Sequence, residues 1–260
     1  MDYTLITGAS SGIGRAFAFE CARRKSNLVL VARSGQVLDG LAWELVSAYG
    51  IRVEVCTADL SEPDSARRVF SFCRNRSLHI GLLINSAGFG YAGEYADMPP
   101  DELESMVQVN MLSLARLIRL FVPSMLGCRK GGIINVASLG GLQGVAFLSL
   151  YSATKSFVMT LSEALHEELR GTGVRVVAVC PGYVDTGFHD RSGQDPSQSV
   201  MPVYDASRVV RAALRGLKKN RVRVFPVFSD TVLAGLQRCT PRKVVLRLAA
   251  LLAPHNYSRF

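Results

Sequence analysis

Tyr151 and Lys155 lie four residues apart, and Ser138 precedes Tyr151 by thirteen residues. A spacing of four residues places two side chains on the same face of a helix. A free tyrosine keeps its proton to about pH 10, but a fixed ammonium group nearby favours the phenolate and lowers that pKa. The three residues therefore predict that Tyr151 can act as an acid–base catalyst. Taken alone, a Tyr-x-x-x-Lys pair is common on helices that do no chemistry, so its meaning depends on the elements around it.

Short apolar segments alternate with longer helical stretches through most of the chain. We predict strands over residues 3–7, 27–32, 52–57, 80–85, 133–137 and 174–179. Between them we predict helices over 13–24, 36–49, 62–75 with Ser61 as N-cap, 101–126 with a bend at Pro123, and 149–170. Strands with few polar residues are buried on both faces, which is typical of a parallel sheet. The alternation therefore predicts an α/β fold with a Rossmann-like, doubly wound parallel sheet.

A single domain is predicted over residues 1–260, in three parts. Residues 1–186 hold the cofactor-binding and catalytic elements. Residues 187–204 are rich in Gly, Pro, Ser and Gln and predict a lid loop over the substrate. Residues 205–260 form a C-terminal extension, with a helix over 206–219, a short strand over 221–226 and apolar-basic helices over 230–238 and 242–253.

A glycine-rich segment, TGASSGIG from Thr7 to Gly14, follows the first strand and opens the first helix. Glycines let backbone N–H groups approach a phosphate closely, and the helix N-terminus favours negative charge. The Gly-x-x-x-Gly-x-Gly spacing differs from the usual dinucleotide fingerprint, and a tight strand-to-helix turn is the alternative interpretation. The segment predicts phosphate contacts from Gly8, Ser10, Ser11, Gly12, Ile13 and Gly14.

Arg33 and Ser34 follow the second strand, where an acidic residue would bind a ribose 2′-hydroxyl. A guanidinium group suits a 2′-phosphate instead, because its planar fork of donors matches phosphate oxygens. We therefore predict that NADP(H) is preferred over NAD(H), with Arg33 and Ser34 as contacts. A solvated charge at a strand end is the alternative interpretation of Arg33.

These motifs in combination resemble the classical short-chain dehydrogenase/reductase family over roughly residues 2–186. The pair Asp59-Leu60 resembles the family's adenine-contacting pair. The segment NSAG, residues 85–88, resembles its Asn-Asn-Ala-Gly motif, with Ser86 in place of the second Asn. The segment PGYVDT, residues 181–186, resembles its Pro-Gly-x-x-x-Thr segment at the nicotinamide, and Asn110, Ser138, Tyr151 and Lys155 match its catalytic residues.

The resemblance implies a role for each matched residue. Lys155 would lower the pKa of Tyr151 and hold the nicotinamide ribose, while Asn110 would anchor a water that links Lys155 to solvent. Val184 and Thr186 would hold the carboxamide of the nicotinamide. The implied cofactor-binding residues beyond the glycine loop and Arg33 are Asp59, Leu60, Asn85, Ala87, Gly88, Tyr151, Lys155, Pro181, Gly182, Val184 and Thr186.

We expect an NADP(H)-dependent oxidoreductase that interconverts a carbonyl and an alcohol, with NAD(H) as the second choice of cofactor. Most side chains expected near the substrate are apolar, which favours an apolar or lipid-like ketone or aldehyde: Phe89, Tyr91, Gly140, Gly141, Leu142, Phe147, Leu148, Tyr183, Phe188 and Met201. The alternative is a catalytically idle, cofactor-binding regulatory protein of the same fold. The complete set of four catalytic residues favours the enzyme.

Composition narrows the partners and the compartment. The 30 basic and 21 acidic residues give a net charge of +9, but the basic residues after Arg208 are spaced along predicted helices, so we expect a small-molecule substrate and no nucleic acid. The C-terminal tail could cover the substrate pocket, mediate oligomer contacts or lie on an anionic membrane, and packing or oligomerisation is favoured. The resemblance implies a homodimer or homotetramer.

The cysteines and the N-terminus indicate the cytoplasm. Six cysteines without a Cys-x-x-Cys pair predict reduced thiols, and no His, Cys and carboxylate spacing predicts a metal site. The first strand is predicted to begin at Tyr3, so no signal peptide is expected.

Overall fold

A seven-stranded parallel sheet is the centre of the computed structural model, which describes residues 2–186 and 202–252. The strands are β1 (Tyr3–Thr7), β2 (Asn27–Ala32), β3 (Val53–Thr57), β4 (Ile80–Asn85), β5 (Gly131–Val136), β6 (Val174–Val179) and β9 (Arg223–Val224). Their order in the sheet is β3-β2-β1-β4-β5-β6-β9. A separate parallel pair is formed by β7 (Val184–Asp185) and β8 (Tyr204–Asp205). The predicted Rossmann-like α/β fold is confirmed.

Helices cover both faces of the sheet. Successive residues of each strand point to opposite faces, and both sets of apolar side chains are buried under helices. Leu5 of β1 packs into the core on one face, and Ile6 packs into the core on the other. The first face is covered by α3 (Ser65–Asn75), α5 (Leu114–Gly127) and α6 (Ser149–Glu168). The second is covered by α1 (Gly12–Arg23), α2 (Gly35–Tyr49) and α7 (Ala206–Lys218).

The long helix predicted over residues 101–126 is interrupted, and the interruption is not at the predicted bend, Pro123. Helix α4 (Pro100–Val107) passes into a π-helical turn, Gln108–Ser113, before α5 begins. A π turn carries an extra residue per turn and is frequent at functional sites. Asn110, buried in this turn, is one of the predicted site residues.

Two further boundaries differ from the predictions. Helix α3 begins at Ser65 rather than residue 62, and Ser61 is not its N-cap. The Asp59 carboxylate accepts hydrogen bonds from the backbone N–H and the hydroxyl of Ser61 at 2.9 and 2.7 Å, which holds these residues in a turn instead. The strand predicted over 221–226 is reduced to β9, because it pairs with β6 only at Ala178 and Val179.

Two helices end the described chain, α8 (Phe228–Cys239) and α9 (Arg242–Leu252). Residues 187–201 of the predicted lid, residue 253 of the last predicted helix and the residues that follow it lie outside the described residues. The helical stretch Pro100–Gly127, with the π turn included, is long and apolar enough to cross a membrane by length and composition alone. Buried core helices meet the same criterion, and α5 packs its apolar side, including Leu117 and Phe121, into the core.

Candidate active site

The glycine loop between β1 and α1 has a backbone that only glycine accommodates well. Gly8 and Gly12 have φ angles of 66° and 52°, in the left-handed region that disfavours other residues. A Cβ atom at Gly14 would lie 2.1 Å from the carbonyl oxygen of Gly8, and one at Gly8 would lie 2.9 Å from Cα of Ala87. These close approaches leave an open cradle of backbone between the first strand and the first helix, which fits the phosphates of a dinucleotide.

Thr7 ties this loop to the segment after β4, a role that sequence reasoning missed. Its hydroxyl oxygen accepts hydrogen bonds from the backbone N–H groups of Ser86 and Ala87, each at 3.1 Å. Thr7 is buried at the last position of β1, beside β4 in the sheet. A threonine at a strand end, immediately before the first glycine, was the signal available in the sequence.

A cavity of about 750 Å³ runs along the carboxyl ends of the strands, where open α/β sheets bind ligands. The structure brings nineteen of the predicted site residues to its wall: Gly8, Ser10, Ser11, Gly12, Ile13, Gly14, Arg33, Ser34, Asp59, Leu60, Ala87, Gly88, Ser138, Tyr151, Lys155, Pro181, Gly182, Val184 and Thr186. Asn85 and Asn110 are the two predicted residues that do not line it.

Tyr151, Ser138 and Lys155 meet inside this cavity, although they come from two elements. Helix α6 supplies Tyr151 and Lys155, and Ser138 follows β5. The Tyr151 hydroxyl hydrogen-bonds the Ser138 side chain, whose oxygen also accepts a hydrogen bond from the Gly140 backbone at 3.1 Å. The ammonium nitrogen of Lys155 lies 5.7 Å from the centre of the Tyr151 ring. This places a phenol, a hydroxyl and an ammonium group around one point.

The pKa of Tyr151 differs from the prediction that Lys155 would lower it. Burial raises the pKa of Tyr151 to about 12, and the hydrogen bond with Ser138 offsets only part of that rise. Burial also lowers the pKa of Lys155 to about 8. The Lys155 ammonium donates a hydrogen bond to the Val136 carbonyl at 2.9 Å rather than to the phenol. The protein alone therefore holds Tyr151 as a neutral phenol, because removal from water outweighs the hydrogen bond with Ser138.

Asn110 lies beside the cavity, and its side chain joins three parts of the fold. Its amide nitrogen donates to the Phe89 carbonyl at 2.9 Å and to the Thr154 hydroxyl at 3.1 Å. Its amide oxygen accepts from the Phe89 backbone N–H at 3.1 Å. Both amide hydrogens are thus used within the protein. Asn110 braces the loop after β4 against α6, next to Lys155.

Asn85 is also buried away from the cavity wall, in contrast to its predicted cofactor contact. Its amide nitrogen donates to the Asn135 side chain at 2.8 Å, and Asn135 donates in turn to the Ser162 hydroxyl at 2.9 Å. This chain of side chains connects β4, β5 and α6. The signal was ambiguous in the sequence, because an Asn at a strand end can face a ligand or a neighbouring strand.

The part of the cavity expected to hold the substrate, here called the substrate half, is lined partly by residues that sequence reasoning did not assign. Helices α8 and α9 contribute Leu233, Leu236, Gln237, Val245, Leu248 and Ala249 to the wall, and Thr240 between the two helices also lines it. Of the residues expected near the substrate, Phe89, Gly140, Leu148 and Tyr183 line it, whereas Tyr91, Gly141, Leu142 and Phe147 do not, and Phe188 and Met201 lie outside the described residues. Of the three roles open to the C-terminal tail, these positions in the wall support covering the substrate pocket.

Gly141 and Leu142 illustrate why some expected residues are absent from the wall. A Cβ atom at Gly141 would lie 2.6 Å from the backbone of Lys155, so this glycine packs tightly on α6. Leu142 packs against the core on the side of α6. The turn after β5 therefore presents only part of its length to the cavity.

Comparison with known proteins agrees with this geometry. The chain is 36% identical over 190 residues to a very-long-chain 3-oxoacyl-CoA reductase from Anas platyrhynchos, a match that covers 71% of this chain and 60% of that protein. This match therefore spans less than two thirds of that relative's length. The structure of a short-chain dehydrogenase from Sphingobium yanoikuyae in complex with NADPH is 34% identical, with a TM-score of 0.82 over 93% of this chain and 97% of that one.

A second solved structure carries the other nicotinamide cofactor. A 3-oxoacyl-[acyl-carrier protein] reductase with bound NAD from Brucella melitensis is 26% identical, with a TM-score of 0.74 over 85% of this chain and 87% of that one. The sequence model of the short chain dehydrogenase family matches residues 2–197. The chain therefore belongs to the short-chain dehydrogenase family.

Proposed function

We propose that this protein is an NADP(H)-dependent reductase of a lipid-like carbonyl compound, with Tyr151 as the proton donor. The observation that carries the proposal is the meeting of Tyr151, Ser138 and Lys155 in the cavity that also holds the glycine loop. One continuous space can therefore hold a dinucleotide and a substrate carbonyl side by side.

The protonation state of Tyr151 favours the reductive direction. With a pKa raised to about 12 by burial, the phenol carries its proton at neutral pH and can donate it to a carbonyl oxygen. Ser138, already hydrogen-bonded to that phenol, orients the same oxygen. A bound nicotinamide would supply the hydride, and the residues proposed to hold it are the glycine loop, Lys155 and residues 181–186. Lys155 places a positive charge next to the phenolate that donation leaves behind.

The substrate class follows from the cavity wall and the relatives. Apolar side chains from α8 and α9, including Leu233, Leu236 and Leu248, face the same space as Tyr151. Relatives are named as reductases of 3-oxoacyl thioesters. A carbonyl compound with a long apolar chain, with a 3-oxoacyl thioester as the first to test, fits both observations.

The cofactor preference rests on Arg33. Arg33 and Ser34 line the cavity with Asp59 and Leu60, at the end of β2 where the adenosine ribose of a dinucleotide would lie. A guanidinium group at this position favours a 2′-phosphate, so we assign NADP(H) as the preferred cofactor.

The assembly and the compartment are further proposals. Leu112 in the π turn and Leu126 in the last turn of α5 are exposed apolar side chains of the kind that subunit contacts cover. They support a homodimer or homotetramer through these helices. Four of the six cysteines are buried and all six are free, which supports a reducing, cytoplasmic compartment.

The test of the main proposal is turnover of Tyr151→Phe. The native protein should oxidise NADPH in the presence of a medium-chain or long-chain 3-oxoacyl thioester, read at the nicotinamide absorbance. Tyr151→Phe should keep NADPH affinity within about twofold and lose at least about 100-fold in kcat, because general acid catalysis contributes about 100- to 10,000-fold. Tyr95→Phe, an exposed tyrosine away from the cavity, is the matched control.

Two outcomes would contradict the proposal. Near-native turnover by Tyr151→Phe would show that Tyr151 is not the proton donor. Dinucleotide binding without turnover of any carbonyl or alcohol by the native protein would favour the alternative, an idle regulatory protein with this fold.

A further inference from the structure

Asp230 is a buried carboxylate at the first turn of α8, outside the set of residues assigned to catalysis. It is 1% exposed, and among the Asp, Glu, Lys and Arg side chains that the structure describes, only Lys155 and Asp230 are buried. Burial raises the pKa of Asp230. A carboxylate is expensive to remove from water unless donors satisfy it, so the partners of Asp230 decide how this group is held.

Two short hydrogen bonds connect Asp230 to the proposed nicotinamide segment. The Tyr204 hydroxyl donates to the Asp230 carboxylate at 2.7 Å, and the same hydroxyl oxygen accepts from the Gly182 backbone N–H at 2.7 Å. Tyr204 is 6% exposed, so this relay is shielded from water. A hydroxyl has one hydrogen, and donating it to Asp230 turns the oxygen lone pairs toward Gly182.

Hydrogen bonds hold the proposed nicotinamide segment at three successive residues, 181 to 183. The Leu139 backbone N–H donates to the Pro181 carbonyl at 2.8 Å, and the Tyr204 backbone N–H donates to the Tyr183 carbonyl at 3.1 Å. The bond from Gly182 to the Tyr204 hydroxyl lies between them. Tyr204 makes two of these three bonds, one through its backbone N–H and one through its hydroxyl, and Asp230 orients the hydroxyl.

We propose that Asp230 is a positioning residue, which acts through Tyr204 to hold residues 181–186 in the shape that receives the nicotinamide. The inference rests on the proposed function, because it assigns residues 181–186 to the cofactor. Helix α8 then has two roles. Leu233 and Leu236 line the substrate half of the cavity, and Asp230 in the first turn holds the segment proposed to bind the nicotinamide. Asp230 is 26 residues from Tyr204 in sequence and would not be found from a motif.

The experiment separates the two halves of the cofactor. Dissociation constants are measured for NADPH and for 2′-phospho-ADP-ribose, which lacks the nicotinamide, with the native protein, Tyr204→Phe, Asp230→Asn and the double variant. Tyr204→Phe should weaken NADPH about 3- to 10-fold, the value of one hydrogen bond, and leave the fragment within about twofold. The kcat should fall about 10- to 100-fold, because small misplacements of reacting groups have effects of that size.

The other variants test whether Asp230 and Tyr204 act as one unit. Asp230→Asn keeps a neutral acceptor for the Tyr204 hydroxyl, so its losses should be smaller than those of Tyr204→Phe. The double variant should be no worse than Tyr204→Phe alone, because residues that share one network are not additive. Tyr95→Phe is again the control. Asp230→Asn retains the shape of the side chain and carries the test if Tyr204→Phe does not fold.

Equal weakening of NADPH and of the fragment would overturn the inference, because it would show a general effect on the fold. Unchanged kcat and NADPH affinity in both single variants would overturn it as well. Failure of the proposed function would look different: the native protein itself would show no NADPH binding or no turnover.

Discussion

Lys155 is a cation kept almost out of water, at 5% exposure, next to the phenol that it is proposed to serve. Burial lowers its pKa to about 8, and its hydrogen bond to the Val136 carbonyl fixes the ammonium group. A lowered pKa means that the charged form destabilises the folded state relative to the unfolded chain. The position therefore favours catalysis at the expense of stability, a common property of active sites.

Replacing Lys155 should stabilise the protein in a pH-dependent way. Lys155 has a pKa of about 8 in the folded protein and an ordinary value of 10.5. Between these values the unfolded chain binds more protons, so the native free energy of unfolding rises with pH across this window. Lys155→Met should be more stable than the native protein by up to roughly 3 kcal/mol below pH 8, with the advantage shrinking toward pH 10. Urea unfolding at pH 6.5, 8, 9 and 10 measures it.

Lys219→Met, at an exposed lysine, is the control for this experiment. Its stability difference from the native protein should show no comparable change over the same pH range. A Lys155→Met advantage that stays constant from pH 6.5 to 10 would contradict the assigned cause.

Arg33 gives the second prediction at the scale of the residue. Arg33→Asp should weaken NADPH at least about tenfold more than NADH, because a charge-assisted contact to the 2′-phosphate becomes a repulsion. The ratio of kcat/KM for the two cofactors measures it. Arg67→Asp, an exposed arginine outside the cavity wall, makes the same change of charge and should leave the ratio unaltered. An equal decrease in kcat/KM for both cofactors with Arg33→Asp would contradict the proposed contact between Arg33 and the 2′-phosphate.

The sequence predicted which residues form the site better than it predicted how they behave. Ser138 and Tyr151 meet as expected because their positions follow from strand and helix ends. The raised pKa of Tyr151 was not predictable, since it depends on how much water the whole fold excludes. Asn85 was assigned to the cofactor, but Asn135, fifty residues away in the next strand of the sheet, accepts its hydrogen bond.

At the scale of the element, α8 and α9 are the last two helices of the described chain, and both line the cavity. Leu236 and Leu248 line the wall although they are 60% and 49% exposed, so these helices form the rim of the site. Sequence reasoning placed both helices correctly by their apolar-basic pattern. It could not choose their packing partner, because an amphipathic pattern states which face is apolar and not what covers it.

Filling the rim should discriminate by substrate length. Leu248→Trp adds bulk where a long apolar chain would leave the cavity. An overpacked apolar contact costs about 1–3 kcal/mol, which corresponds to about 5- to 150-fold in kcat/KM. The loss should fall on long-chain 3-oxoacyl thioesters, with four-carbon substrates within about threefold of native. Val232→Trp, on an exposed position of α8 outside the wall, is the control. Equal losses for short and long chains would contradict this path for the substrate.

At the scale of the whole molecule, positive charge is concentrated near this rim. The segment from Phe228 to Leu252 contains four basic residues and a single acidic one, Asp230, which is buried. The exposed basic residues of α9 include Lys243 and Arg247. With a net charge of +9 for the chain, an anionic substrate approaching the rim meets an attractive field.

Salt should therefore affect charged and neutral substrates differently. The kcat/KM for a CoA thioester, at saturating NADPH, should fall several-fold between about 20 and 300 mM salt, because screening shortens the range of the attraction. A neutral ketone of similar chain length should change by less than about twofold. Lys243→Glu combined with Arg247→Glu should flatten the salt dependence. An identical response of the two substrates would contradict steering by these residues.

The π turn at Gln108–Ser113 lets one helical stretch meet two requirements. It turns Asn110 toward α6 and also keeps the apolar side chains before and after it in the core. An α-helix advances about 100° per residue, so a single extra residue turns everything beyond it by that amount. Met106 before the turn and Leu117 after it are both buried, while Asn110 within it reaches the catalytic helix. Losing one residue here would straighten the helix and swing either the amide or the apolar stripe out of place. This stretch should tolerate substitutions far more readily than changes of length.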